Sequence, residues 1–120
     1  MHESKEAVKV IIAGSRSIVD KEVVERAVRE SGFRITEVIS GGARGVDALG
    51  EEIARDLGVP VQRFLPAWDV YGKAAGAIRN EAMAKVADAL IAVWDGKSGG
   101  TRNMMWQARR RGLQVYVCRC

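Results

Sequence analysis

Three short stretches of this chain mix glycine with hydroxyl and basic side chains. They are Gly14-Ser15-Arg16-Ser17, Gly41-Gly42-Ala43-Arg44-Gly45-Val46-Asp47 and Asp95-Gly96-Lys97-Ser98-Gly99-Gly100-Thr101. Glycine lets backbone N–H groups come close to a ligand, and arginine offers a planar fork to phosphate or carboxylate. The chemistry these stretches suit is the cradling of an anion, a nucleotide phosphate above all. A fourth stretch, Pro66 to Asn80, adds Trp68 and Tyr71, which could stack on a base, and Lys73 and Arg79, which could reach a phosphate. Gly72 and Gly76 would let the helix that follows start close to the ligand. Trp68 and Tyr71 have an alternative use as anchors of a long loop on the core.

Two familiar phosphate motifs do not fit. Gly96-Lys97-Ser98 resembles the tail of a P-loop, but the glycine required five residues earlier is Ile91, inside an apolar run. The turn after Ala13 holds one glycine, not the repeated glycines of dinucleotide-binding folds. Ordinary P-loop NTPase and NAD-dehydrogenase readings are therefore weak.

The elements that must position these residues follow from hydrophobic patterning. Strands are expected over Val8–Ala13, Ile35–Ser40, Val61–Leu65, Ala89–Trp94 and Gln114–Cys118. A helix capped by Asp20 runs to Gly32, and a second carries Val46, Leu49, Ile53, Ala54 and Leu57 on one face before Gly58. A long loop from Pro66 feeds a third helix through Met83 and Val86. A fourth spans about Thr101 to Arg111, with Met104, Met105 and Ala108 as its apolar stripe. This alternation predicts one α/β domain over residues 1–120, with residues 1–7 flexible. The architecture expected is a three-layer, Rossmann-like, doubly wound parallel sheet of five strands in the order 3-2-1-4-5. In that order the three glycine-rich turns meet where the chain reverses direction, beyond the carboxyl ends of the strands. The second and fourth helices start there too, and their free N–H groups favour an anion. Asp88 falls at the opposite end.

At 120 residues the chain can build one real core. A net charge of +4, with arginine supplying 13 of 19 basic residues, suits an anionic partner without choosing among nucleotide, nucleic acid and solubility. The first residues lack the apolar core of a signal peptide, and no apolar run nears the roughly 18 residues a membrane span needs. A cytoplasmic protein with no membrane association is expected. Cys118 and Cys120 alone cannot complete a zinc site, so no tightly bound metal is expected and the cofactor stays unknown. Arg109-Arg110-Arg111 fan around a helix end and suit its dipole better than a nucleic acid. Met104, Met105 and Trp106 are candidates for a dimer surface.

Taken together, three segments resemble the SLOG superfamily, the Rossmann-like group that includes LOG-type nucleotide phosphoribohydrolases and DprA proteins, and within it the YspA/YpsA-related branch. The segments are Ser40 to Asp47, Pro66 to Asn80 and Trp94 to Thr101. The resemblance implies a nucleotide or nucleotide-derived ligand across those loops. The ligand-binding residues expected are Gly14, Ser15, Arg16, Gly41, Gly42, Ala43, Arg44, Gly45, Asp47, Trp68, Tyr71, Lys73, Arg79, Asn80, Asp95, Ser98, Gly99, Gly100 and Thr101. LOG-type enzymes cleave the bond between base and ribose 5′-phosphate with an arginine on the third helix and a glutamate after a glycine-rich turn. Arg79 falls where that arginine would be, but the glutamate position holds Met104. Asp95 or Asp47 would then have to supply a carboxylate, and Arg79 with Asp95 is the catalytic pair expected. The leading expectation is a nucleotide-binding sensor or carrier that forms a homodimer. A nucleotide hydrolase is the alternative, and DprA-like binding of single-stranded DNA a weaker one.

Overall fold

A computed structural model of the chain describes residues 7–120. The flexibility expected at the N-terminus concerns residues outside that range, save that Ala7 already opens the first strand. The elements in order are β1 (Ala7–Gly14), α1 (Lys21–Ser31), β2 (Arg34–Ser40), α2 (Val46–Leu57), β3 (Val61–Arg63), α3 (Trp68–Tyr71), a 3-10 turn (Gly72–Ala74), α4 (Ala75–Val86), β4 (Ala89–Trp94), α5 (Gly99–Arg110) and β5 (Gln114–Arg119). The five strands form one parallel sheet in the order β3-β2-β1-β4-β5, as the alternation predicts.

Side chains of β1 leave the sheet alternately on its two faces, and this builds two cores. Val10 and Ile12 join Val24 and Ala27 of α1 and Val46, Leu49, Ile53 and Ala54 of α2. Ile11 and Ala13 join Met83 and Ala84 of α4 and Met104, Met105 and Ala108 of α5. The sheet is thus covered by α1 and α2 on one side and by α4 and α5 on the other. Val10, Ile11 and Ile12 are fully buried, and each such aliphatic side chain contributes about 1.5–3 kcal/mol relative to exposure.

The helix ends obey local chemistry. Asp20 caps α1 by accepting from the Glu22 N–H at 3.0 Å, and Gly32, with φ of 71°, closes it in the left-handed conformation. At the sheet's amino edge the Asp88 carboxylate accepts from the Lys9 N–H at 2.9 Å, which fits its expected role away from the loops.

The structure departs from the sequence expectations in three places. β3 ends at Arg63 rather than Leu65, because after Phe64 donates to the Ser40 carbonyl at 2.8 Å the chain turns away from the sheet. The stretch after Pro66 is not an open loop: α3 and the 3-10 turn occupy it before α4 begins at Ala75. Met104 and Met105 are 1% and 4% exposed, so they belong to the core of their own chain and are unavailable to a dimer surface.

Candidate functional site

The carboxyl ends of β1, β2 and β4 deliver their loops to one cleft of about 440 Å³. Gly14, Ser15, Arg16 and Ser17 line it from the β1 end. Ala43 comes from the β2–α2 connection and Asp47 from the first turn of α2, Arg79, Asn80 and Met83 from α4, and Asp95, Ser98, Gly100, Thr101 and Met104 from the β4–α5 side. A second hollow adjoins it, lined by Arg16, Gly41, Gly42, Ala43, Arg44, Leu65, Pro66, Trp68 and Arg79. Arg16, Ala43 and Arg79 belong to both.

The close fit of these loops rests on glycine at two positions. A Cβ on Gly41 would fall 2.5 Å from Arg79 Nη1 and 2.8 Å from Asp47 Oδ2, so only glycine lets both charged groups flank this backbone. Gly45 has φ of 76°, and a Cβ there would meet the Ser15 and Arg16 backbone at about 2.6 Å. The β1 and β2 loops therefore touch through backbone atoms, and the Val46 N–H donates to the Ser15 carbonyl at 3.4 Å.

Three hydrogen-bonded supports hold the cleft open. Ser40 Oγ accepts from the Gly42 N–H at 3.0 Å and donates to Glu51 Oε2 at 2.7 Å. Glu51 also accepts two bonds from the Arg63 guanidinium, at 3.0 and 2.6 Å. Burial works against ionising Glu51, but the bonds from Arg63 and Ser40 outweigh it and hold the carboxyl below its ordinary range. Asn80 bridges α4 to α5, donating to the Gly100 carbonyl at 3.3 Å and to Asn103 Oδ1 at 3.0 Å. Ser15 Oγ accepts from the Asp95 N–H at 3.0 Å and ties β1 to β4.

The charged residues differ in how free they are. Arg79 Nη1 donates to the Gly41 carbonyl at 2.6 Å, and Nε to Asn80 Oδ1 at 3.0 Å. Burial depresses its pKa below the ordinary arginine value, Asp47 opposes that, and Arg16 adds to it. Arg16 and Arg44 are exposed at the rim. Asp95 Oδ1 accepts from the Lys97 and Ser98 N–H groups at 2.8 and 2.9 Å, which lowers its pKa and makes it a turn-forming carboxylate. Asp47 is 6% exposed, and its Oδ2 accepts from the Ala43 N–H at 3.2 Å. Desolvation raises its pKa to about 6, although the Ala43 bond and the charges of Arg79 and Arg16 pull the other way.

Of the two helix starts expected at the cleft, those of α2 and α5, one is free of acidic residues. In the first turn of α2, Asp47 already sets a negative group against the helix dipole. At α5, Ser98 is the N-cap and accepts from the Thr101 N–H at 3.4 Å, while the first turn contains no acidic residue. The pair of anion-favouring helix starts expected from the sequence is thus reduced to α5.

Several expected site residues lie elsewhere. Tyr71 and Lys73 are exposed and line neither hollow; they flank Gly72, whose φ is 56°. Gly76 faces the Trp68 ring at 3.6 Å instead of a ligand space. Gly99 also lines neither hollow, and Gly45 contributes by packing alone. Conversely, Met83, Met104, Leu65 and Pro66 were not expected at the site. Glu51 had a signal that could have found it. Asp47 and Glu51 stand four apart on one helix face among apolar residues, where a carboxylate needs a partner.

No helix among the described residues is long and apolar enough to cross a membrane. The sheet and its covering helices match the X-ray structure of DNA processing protein A (DprA) from Streptococcus pneumoniae with a TM-score of 0.70 at 20% identity. The match covers 91% of this chain and 49% of that one, so the chain spans about half the length of that protein. A relative in sequence is the Gene 61 protein of Mycobacterium phage D29, 33% identical over 116 residues, covering 89% of this chain and 93% of the relative. Residues 8–71, which include the β1 and β2 loops and Trp68, match the model of the YspA, cpYpsA-related SLOG family, and with the phage relative spanning nearly the whole length the chain belongs to that family.

Proposed function

We propose that the protein binds a nucleotide or nucleotide-derived ligand at the carboxyl ends of its strands, and that it acts as a sensor or carrier of that ligand. The observation that carries this reading is the meeting of the β1, β2 and β4 loops on one cleft beside an aromatic hollow. The start of α5, with Ser98 and Thr101, suits a phosphate, and Arg16 and Arg79 add positive charge to the same space. Trp68 in the adjoining hollow suits the face of a base. Purifying the protein natively and identifying released small molecules by mass spectrometry tests the reading. A nucleotide-derived compound at near-stoichiometric level supports it. No such compound, together with no heat of binding from any of a broad nucleotide panel, rejects it.

One observation favours a second reading, hydrolysis of the bound nucleotide. Asp47 lines the cleft with its pKa raised to about 6, near the range that suits proton transfer at neutral pH. Asp47, rather than Asp95, is then the carboxylate to pair with Arg79. Chromatography of nucleoside monophosphates incubated with the protein would reveal free base or phosphate, and turnover lost in Arg79→Ala would favour this reading.

Self-association belongs to the same proposal. It now rests on Ile78 and Val86 of α4 and Trp106 of α5, all exposed, and not on the buried methionines.

A further inference from the structure

Two carboxylates line the cleft; Asp95 is engaged by the Lys97 and Ser98 N–H groups of its own turn, and Asp47 is the buried one whose charge is wrong for a phosphate. A carboxylate at such a site repels the anion that the α5 start and the arginines suit. Nor is it consumed by an ion pair, since among the described residues no lysine or arginine nitrogen lies within ion-pair distance of it. Its Oδ2 is held by the Ala43 N–H. Among the described residues no donor serves its Oδ1, which is not sealed from solvent, and the residue lines the cleft. If holding Ala43 were the whole task, a neutral Asn or Ser would serve without burying a charge.

Its position narrows what it can accept from. Ser98 and Thr101 stand on one side of the cleft, Trp68 stands in the adjoining hollow, and Asp47 is bonded to Ala43, which lines both. A nucleotide has the covalent order phosphate, ribose, base, and its sugar would lie between those ends. The neutral donors a sugar presents there are hydroxyl groups. Resting on the nucleotide reading above, we infer that Asp47 recognises the sugar, accepting hydrogen bonds from the ribose hydroxyls, so that the site selects ribonucleotides over 2′-deoxyribonucleotides.

A carboxylate that loses its hydroxyl partner on binding the wrong sugar is left desolvated, and the expected discrimination is about tenfold to a hundredfold. Calorimetric titration of the full chain with the mono- and diphosphates of adenosine, guanosine, cytidine and uridine, each beside its 2′-deoxy form, measures it. The inference predicts that the best ribonucleotide binds at least about tenfold tighter than its 2′-deoxy counterpart. It also predicts that Asp47→Asn, which keeps an acceptor for Ala43, narrows the gap to less than about threefold. Equal affinity for the two sugars overturns the inference and leaves the nucleotide reading standing. A preference that survives intact in Asp47→Asn takes the assignment away from Asp47. If neither sugar form of any base binds, the nucleotide reading fails first and this inference falls with it.

Discussion

Replacing Asp47 by Asn should make the free protein more stable at neutral pH, although the residue lines the candidate site. Asp47 is 6% exposed, and desolvation lifts its pKa from 3.8 to about 6 in the folded chain. The fold therefore holds the proton more tightly than the unfolded chain does. The stability this supplies is complete below pH 4 and is lost as pH rises through the folded value near 6. A displacement from 3.8 to about 6 corresponds to at most about 3 kcal/mol between full protonation and pH 7.5. For a chain of 120 residues that is an upper bound of about 12 °C in midpoint temperature. Asn keeps an oxygen for the Ala43 N–H and carries no charge, so it escapes the pH-dependent loss. Scanning calorimetry of both proteins at pH 4 and pH 7.5 reads the effect. Asp47→Asn should exceed the wild type by several degrees at pH 7.5 and lie within about 2 °C of it at pH 4. A gap of the same size at both values, or a destabilised variant at neutral pH, would refute the desolvation account. A group that weakens the free fold while facing a cleft is the pattern expected where stability has been exchanged for binding.

The other predictions concern the cleft's supports and its outer surface. Gly41→Ala forces the Arg79 guanidinium and the Asp47 carboxylate apart and should cost about 1–3 kcal/mol in urea unfolding, with ligand affinity falling too; an unchanged midpoint would mean the pair moves aside freely. Glu51→Ala removes the common partner of Ser40 and Arg63 and should cost about 1–3 kcal/mol, the exposed Arg63 limiting the loss because water can solvate it. Trp106→Glu should abolish any concentration-dependent self-association in sedimentation velocity without changing the midpoint of unfolding, because the ring is 56% exposed; a dimer that persists places the interface elsewhere.

The sheet was readable in advance because its signals are local and redundant. Val10 to Ala13 leave no polar face, so β1 had to be covered on both sides, and glycines at 32, 58 and 112 mark where connections turn. Strand order followed from short right-handed crossovers. The β1, β2 and β4 loops converge for the same reason, and Ser15, Arg16, Ala43, Asp47, Arg79, Asn80, Ser98 and Thr101 meet as the topology requires. What could not be read depends on contacts distant in the chain. Tyr71 and Lys73 are exposed on either side of Gly72, whose φ of 56° no periodicity encodes. Met105 and Trp106 are neighbours in sequence, yet successive helical positions point about 100° apart, so one is core and the other surface. Asp95, expected as a catalytic carboxylate, has an oxygen bonded to the N–H groups of the next turn, which its spacing in the sequence does not reveal. Asp47 was expected at the site, but its burial against Gly41 and Ala43 emerges only in three dimensions.

The central claim is that the cleft beyond β1, β2 and β4 takes a nucleotide, and amide chemical-shift mapping tests it residue by residue. With an isotope-labelled chain titrated with the tightest ligand of the ribonucleotide panel, the account predicts saturable shifts at Gly14 to Arg16, Ala43 to Asp47 and Ser98 to Thr101. The Trp68 indole should move with them, while the amino edge around Lys9 and Asp88 stays still. Saturable shifts confined to other surfaces, or no saturable shifts with any nucleotide, would contradict it.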